Sequence, residues 1–220
     1  MKKITLFFLL IIASDFSFPQ IELKGTMGIN FLSFPSLQDY INENFAPSEG
    51  ELGTFNSAVI FTGEVGTFLS KSFELSIEIP YQIYSYTENV DPGQYELAYI
   101  SLLPSVMAYY VILGSGYNVK FGGGAGVRFI DVTESEKWQG TEDSFSSVGF
   151  GGLIRAEANT ALAENVYANI GLDLRYDING EPENSSGEAL ENFVKGENVN
   201  FDTFSVGVKL GISYLIGGSN

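Results

Sequence analysis

The sequence predicts an all-β fold, an eight-stranded antiparallel up-and-down transmembrane β-barrel. Three observations predict it. Apolar residues recur at every second position over long stretches, the connections alternate strictly between short and long, and the excess negative charge lies in the long connections. A period of two is typical of β-strands. Short turns at one end and long loops at the other are typical of transmembrane barrels.

Strands one to four are predicted from the first half of the chain. Strand one, residues 21–31, and strand two, residues 56–69, are joined by a long connection. Strand three, residues 73–86, follows a tight turn and carries carboxylates on its polar face. Strand four, residues 96–112, is the least regular. Pro104 cannot donate a ladder hydrogen bond, so we expect a β-bulge there.

Strands five to eight are more regular. Strand five, residues 117–130, contains the run GGGAG, which allows the sheet to bend sharply. Strands six and seven, residues 147–162 and 166–178, are separated by a short turn. Strand eight, residues 203–216, alternates without interruption over fourteen residues. Eight strands is an even number, as closure of such a barrel requires.

The composition excludes several function classes. The 220 residues include no Cys and no His, which removes disulfides, thiol chemistry and the usual general base and metal ligand. A formal net charge of −16 disfavours nucleic acid as a partner. We therefore predict no catalytic, metal or cofactor site.

Residues 1–20 are predicted to be a cleaved signal peptide and residues 21–220 the barrel. Lys2 and Lys3 precede an apolar run at residues 4–12, which is too short to cross a membrane as a helix. Every later apolar run is interrupted at alternate positions. Residence in a membrane therefore requires a barrel.

The four long connections are predicted to be acidic extracellular loops. They are residues 32–55, 87–95, 131–146 and 179–202, and they hold seventeen acidic residues against Lys137 and Lys195. In the first of them, residues 36–45 are predicted to form a short helix with an apolar stripe. That helix either lies across the barrel mouth or at the membrane interface, or it serves as a lid or partner-docking helix.

Charged residues on the polar faces of the strands are predicted to point into the lumen. They are Glu64, Glu74, Glu78, Lys120, Arg128, Arg155, Glu157, Asp173, Arg175 and Lys209, with Glu22, Lys24 and Asp177 on the same faces. Facing lipid, an Arg or Lys near the midplane would cost roughly 2–4 kcal/mol. Two readings stay open: a rigid plug of paired charges, or a narrow polar path for small solutes.

The ending KLGISYLI resembles the outer-membrane insertion signal of barrel proteins. Lys209, Gly211, Tyr214 and Ile216 occupy its polar, glycine, aromatic and apolar positions, although four residues follow. The fifth and seventh strands also resemble the small eight-stranded outer-membrane barrels of the OmpA, OmpX and OmpW kind. The resemblance covers essentially the whole mature chain. It implies the outer membrane of a Gram-negative-type bacterium, with membrane lipid and the barrel-insertion machinery as partners, and it fixes no ligand.

The sequence therefore favours a non-enzymatic outer-membrane protein with a structural or surface-interaction role through its acidic loops. The first alternative is a small-solute channel through the polar lumen. The second is a soluble, exported, lipocalin-like barrel that binds a ligand inside. Barrel enzymes that resemble phospholipases, lipid A deacylases or omptin proteases rely on a histidine, which this chain lacks.

Overall fold

The computed structural model describes residues 20–45, 57–90 and 93–217. The predicted signal peptide lies almost entirely outside these residues and stays a prediction. The strands in chain order are β1 (Ile21–Ser33), β2 (Ala58–Ser70), β3 (Phe73–Val90), β4 (Gly93–Leu102), β5 (Ser105–Leu113), β6 (Tyr117–Glu136), β7 (Thr141–Ala163), β8 (Val166–Ile178), β9 (Glu191–Asn192), β10 (Glu197–Asn198) and β11 (Thr203–Ile216). The helix of the described residues is α1 (Pro35–Phe45).

The large sheet closes on itself. β1 pairs antiparallel with β2 on one side and with β11 on the other, and β11 continues through β8, β7 and β6 back to β3 and β2. β4 and β5 both pair with β3 and β6, so they are two halves of one crossing. The ring therefore has eight crossings, and the predicted eight-stranded up-and-down barrel is confirmed.

The β-bulge predicted at Pro104 is not formed, so that prediction is wrong. The strand is interrupted between β4 and β5, because proline lacks the N–H that the ladder needs. Yet the pairing with β3 keeps one register, with Tyr81 opposite Leu102 and Glu78 opposite Ser105. No extra residue is inserted, so the side chains continue to alternate through the break.

At the end that carries the short turns, the barrel is apolar outside and mostly polar inside. One small apolar cluster is also buried there, made of Met107, Tyr109, Val111 and Leu153. In β11, Phe204, Val208 and Leu210 are exposed, whereas Ser205 and Lys209 are buried. The outward apolar surface continues up to Ile83, Phe129 and Ile178, and we call this region the membrane-spanning part. A soluble lipocalin-like barrel would need the opposite arrangement, so that alternative is wrong.

Two of the four predicted loops are largely strand. β3 and β4 extend through most of residues 87–95, and β6 and β7 form a hairpin that replaces most of residues 131–146. Side chains still alternate between the two faces there, but the apolar residues now face inward and the polar residues outward. Ile130 and Val132 are buried, and Asp131 is exposed. Outward apolar residues end where the lipid ends, so a strand prediction that rests on them ends there too.

The two other connections close the mouth of the barrel opposite the short turns. α1 confirms the helix predicted at residues 36–45, and it buries Leu37, Tyr40 and Ile41. Residues 179–202 contain the small β9–β10 sheet. We call α1, residues 179–202 and the strand extensions together the cap. Its core contains Phe34, Tyr95, Leu97, Tyr99, Val132, Leu190, Val199 and Phe201, with Trp138 and Phe45 packed against it.

Candidate functional site

The lumen of the membrane-spanning part holds the charged residues that the sequence singled out. All ten are buried, and none is more than 5% exposed. Each makes at least one ion pair with another lumen residue. Within the described residues, the lumen ion pairs join six basic to seven acidic side chains. The charges inside therefore nearly cancel.

Arg155 on β7 is the centre of this network. Its Nη1 lies 3.1 Å from Glu64 and its Nη2 lies 2.7 Å from Glu78. Its Nε lies 2.6 Å from Asp173, and Nη1 also donates to the Tyr109 hydroxyl at 2.8 Å. Glu64 and Glu78 are directly opposite each other in the β2–β3 ladder, where like charges repel. One guanidinium thus neutralises a like-charged pair.

Two further cations complete the middle layer. Lys209 Nζ on β11 lies 2.7 Å from Asp173, and Arg175 Nη2 on β8 lies 3.4 Å from Glu78. Both carboxylates are therefore shared with Arg155. Because each carboxylate serves at least two cations, loss of one member leaves its partners incompletely neutralised.

The layer nearest the short turns is built on two lysines. Lys24 Nζ lies 2.8 Å from Glu157 and 3.4 Å from Glu64. Lys120 Nζ lies 2.7 Å from Glu74 and 3.6 Å from Glu157, and it also pairs with Glu22. Glu157 therefore joins the two lysines, and Glu64 connects Lys24 to Arg155 of the middle layer. The carboxylates of β2 and β3 meet the basic groups of β6 and β7 across the lumen.

The layer nearest the cap is a single pair, Arg128 with Asp177. Arg128 Nη1 also donates to Ser105 Oγ at 3.1 Å. The pair passes directly over Gly151, where a Cβ would overlap Asp177 Oδ1. Glycine is required at this position because the two side chains occupy the space in which a side chain would lie.

Sequence reasoning missed the neutral partners of the network. Tyr109 accepts from Arg155, and Lys24 lies 5.3 Å from the centre of its ring. Asn118, Asn159 and Asn169 form a chain of side-chain hydrogen bonds of 2.7–2.8 Å beside the lysine layer. The three asparagines lie on the polar faces of their strands, and that position is the signal in the sequence that could have found them.

Within the cap, α1 is attached to the extended strands by a buried carboxylate. Glu134 on β6 accepts a hydrogen bond of 2.6 Å from Tyr40 of α1 and one of 2.7 Å from Tyr95 of β4. Burial raises the pKa of the Glu134 carboxyl, and the two tyrosine hydrogen bonds offset part of that rise. This site joins three elements at one oxygen atom.

The other side of α1 is attached to residues 179–202. Asn192 donates to Glu43 at 2.7 Å, and Lys195 Nζ lies 2.7 Å from Glu43. The Lys195 hydrogen bond holds the pKa of the exposed Glu43 carboxyl below its usual value. The Asn200 backbone N–H donates to Ser36 Oγ at 3.0 Å. The helix is thus fixed across the mouth, the first of the two placements that the sequence left open.

The residues of the predicted insertion signal lie together at the end of β11. Lys209 points into the lumen, whereas Tyr214 and Ile216 are exposed on the apolar surface. Gly211 packs against β1, where a Cβ would overlap the Gly25 carbonyl oxygen. Their role in insertion stays a prediction.

No helix among the described residues is both long and apolar enough to cross a membrane. Within residues 20–45, 57–90 and 93–217, no group of three or more acidic side chains is arranged to hold a metal ion.

No protein-family model matches the sequence. A search of curated proteins also finds no match. Among solved structures, the chain is similar to the major outer membrane protein from Thermus thermophilus, with 12% identity, a TM-score of 0.53 and coverage of 90% of this chain and 99% of that chain. It is also similar to Ail, the attachment invasion locus protein of Yersinia pestis, in complex with the heparin analogue sucrose octasulfate. The identity is 13%, the TM-score 0.51 and the coverage 90% and 99%.

A third solved structure, the outer membrane protease OmpT from Escherichia coli, matches with 7% identity, a TM-score of 0.44 and coverage of 91% and 98%. That likeness is too distant to bear on activity. The two closer likenesses show the fold alone. The fold and the apolar outer surface are those of an outer-membrane β-barrel.

Proposed function

We propose that this chain is a non-enzymatic outer-membrane barrel whose lumen is a closed structural plug and whose cap meets partners at the cell surface. The observation that carries the proposal is the burial of the charged lumen. The charged residues predicted to face the lumen are at most 6% exposed, so water hardly reaches any of them. The interior of an eight-stranded barrel is just wide enough to be filled by side chains. Such a lumen favours rigidity over conduction.

The cap gives the second support. An apolar core of buried residues lies across the outer mouth, directly above the Arg128 layer. A small-solute channel would need a polar exit at this position. Loops and extensions that stand on a rigid scaffold are where binding residues concentrate. We therefore assign interaction to the cap and stability to the lumen.

The non-enzymatic part of the proposal rests on the side chains that are present. The chain has no His and no Cys, and the lumen carboxylates are held by basic partners. A general acid or base must be within reach of a substrate proton. Carboxylates that are buried and neutralised inside a barrel lack that access.

A planar lipid bilayer tests the plug. The mature chain is refolded into lipid, and its current is recorded beside that of Arg155→Ala. We expect insertion without defined current steps in the wild-type chain. Defined steps that change in Arg155→Ala would contradict the proposal and favour the small-solute channel. A stable fold in buffer without lipid or detergent would contradict the membrane assignment itself.

Surface display tests the cap. Bacteria display either the whole chain or a variant in which residues 181–199 are replaced by a short Gly/Ser linker. Retention is measured on surfaces coated with basic, acidic or neutral polypeptides. We expect retention on at least one coating to require residues 181–199, and equal retention of both strains on all three would contradict the interaction role. Ail is complexed with a polyanion, but our chain is strongly acidic, so its partner should carry positive charge.

A further inference from the structure

The outer face of the cap contains a cleft with a volume of about 600 Å³. It lies between the β6–β7 hairpin and residues 184–198, and Tyr40 of α1 contributes to its lining. Pockets that hold small ligands or a few side chains have volumes of roughly 300–1,000 Å³. The cleft is therefore large enough for part of a peptide.

Apolar side chains line one part of this cleft. Phe145 and Leu190 are buried members of the cap core, and Phe193 lies at the edge. Phe193 is 79% exposed and its neighbour Val194 is 65% exposed. Both lie in the β9–β10 turn, in the outer part of the molecule and away from the lipid-facing surface. Exposed neighbouring apolar residues on a soluble surface are typical of interaction sites.

The charge of the lining is entirely negative. Glu134, Glu136, Asp143, Glu188 and Glu191 line the cleft, and its lining includes no basic residue of the described chain. The outer part of the sequence offers just two basic residues, Lys137 and Lys195. Lys137 lies 3.1 Å from Glu96, and Lys195 lies 2.7 Å from Glu43. Both cations are thus paired with carboxylates outside the cleft.

The cleft is also held in shape. Asn192, beside Phe193, donates to Glu43 of α1, and Tyr40 of α1 donates to Glu134 at the cleft floor. Asn184 Oδ1 accepts from the backbone N–H groups of Ser186 and Glu188, at 2.9 and 3.0 Å. A pre-formed surface binds with a smaller loss of conformational entropy than a mobile one.

We infer that this cleft and the Phe193–Val194 turn form a docking surface for a basic peptide segment of a partner protein, one that presents Lys or Arg next to an apolar side chain. The inference rests on the proposed surface role and names its partner class. Charge complementarity selects a cation, because carboxylates without a basic neighbour attract Lys and Arg and steer their approach. The exposed turn supplies the apolar contact.

The test uses the chain refolded into nanodiscs of phosphatidylcholine, which carries no net charge. The probe is a dye-labelled ten-residue peptide in which lysine alternates with phenylalanine and glycine, and its Kd is measured by fluorescence anisotropy. Two control peptides replace every lysine by glutamate or every phenylalanine by serine. We expect both replacements to weaken binding.

Matched variants locate the site. Asp143→Asn with Glu191→Gln removes two charges from the cleft, and we expect the Kd to rise at least about fivefold. Glu142→Gln with Glu164→Gln removes two exposed charges that do not line it, and we expect less than about a twofold change. Phe193→Ser should raise the Kd about tenfold. An unchanged heat-dependent gel mobility shows that each variant is folded.

Equal losses in both double variants, together with no effect of Phe193→Ser, would overturn the docking surface and indicate attraction to the acidic surface in general. So would probe binding that no cleft variant changes. The display experiment separates the two proposals. If the peptide result is negative and cells still need residues 181–199 for retention, the docking surface is wrong and the surface role stands. If retention does not depend on these residues, the surface role itself is wrong.

Discussion

Two parts of one barrel wall place their apolar residues on opposite faces. In the membrane-spanning part of β6, Phe129 faces outward and Arg128 inward, whereas in the cap Ile130 faces inward and Asp131 outward. The strand does not bulge between them, because the pairing with β7 runs through these residues without a register shift. The strand geometry and pairing are therefore the same on both sides of this boundary. What changes is the medium around the barrel, which is lipid on one side and water on the other.

The two parts are stabilised by different forces because their surroundings differ. In lipid, apolar side chains on the outer face contact an apolar medium and need no core to bury them. The charged side chains face the lumen, where they must neutralise one another. In water, the hydrophobic effect drives apolar side chains into a core such as that around Tyr99 and Phe201. The lumen is therefore held by ion pairs, and the cap by apolar contact.

The largest expected effect is on the lumen. Arg155→Ala leaves Glu64, Glu78 and Asp173 buried without their shared cation. Removing one partner of a buried ion pair typically costs about 3–5 kcal/mol. We expect that loss in the free energy of unfolding, measured by urea titration in detergent micelles with far-UV circular dichroism. Lys71→Ala, in an exposed turn, is the control, and equal stability of the two variants would contradict the role of Arg155.

The cap should respond to a different change. Phe201 is fully buried in the cap core, and replacing a buried Phe by Ala costs about 3–5 kcal/mol. Trp138 is the single tryptophan and packs against this core, so its fluorescence reports on the cap. We expect Phe201→Ala to move the fluorescence transition to lower urea and to leave the circular dichroism transition of the barrel nearly in place.

Phe193→Ala is the control for the cap, because Phe193 is exposed and lies in the same segment. If Phe201→Ala moves both transitions by the same amount, the cap and the barrel unfold as one unit. The distinction between the two parts would then describe their composition and not their stability.

Sequence reasoning could predict the membrane-spanning part because a period of two is unambiguous in lipid. Arg128, Arg155 and Lys209 were assigned to the lumen from alternation alone, and the structure places them there. The cap was less predictable. Tyr95 and Glu134 lie five positions beyond Ile100 and Phe129, the last outward apolar residues of their strands. The pattern is reversed there, so the sequence predicts loops at both residues.

Which charges pair could not be predicted in detail. Arg155 lies 91 positions from Glu64 and 18 from Asp173 in sequence, and it contacts both because the ring closes. The distance across a closed barrel depends on the stagger of all its strands. Alternation determines whether a side chain faces the lumen or the lipid. It does not determine the height of that side chain along the barrel axis.

A smaller effect is expected from a single methyl group in the lumen. Gly151→Ala would place a Cβ against Asp177 Oδ1 and disturb the Arg128–Asp177 pair. Overpacking of this kind costs about 1–3 kcal/mol. Gly152→Ala is the matched control, because its Cβ would face outward, 3.5 Å from the Gly124 carbonyl oxygen. We expect urea titration to show a loss for Gly151→Ala alone, and an equal loss for both would contradict the packing argument.

The smallest effect is a dependence of cap stability on pH. Burial raises the pKa of Glu134 in the folded chain above its unfolded value of roughly 4.3. Between these two pKa values the folded chain binds more protons than the unfolded chain, so stability falls as pH rises through that window and is level above it. We expect the Trp138 transition to show this decline from about pH 4 upward. Glu134→Gln keeps an acceptor for Tyr40 and Tyr95 but cannot ionise, so its transition should lose that part of the slope. The same slope in both chains would assign the pH dependence to other carboxylates of the cap.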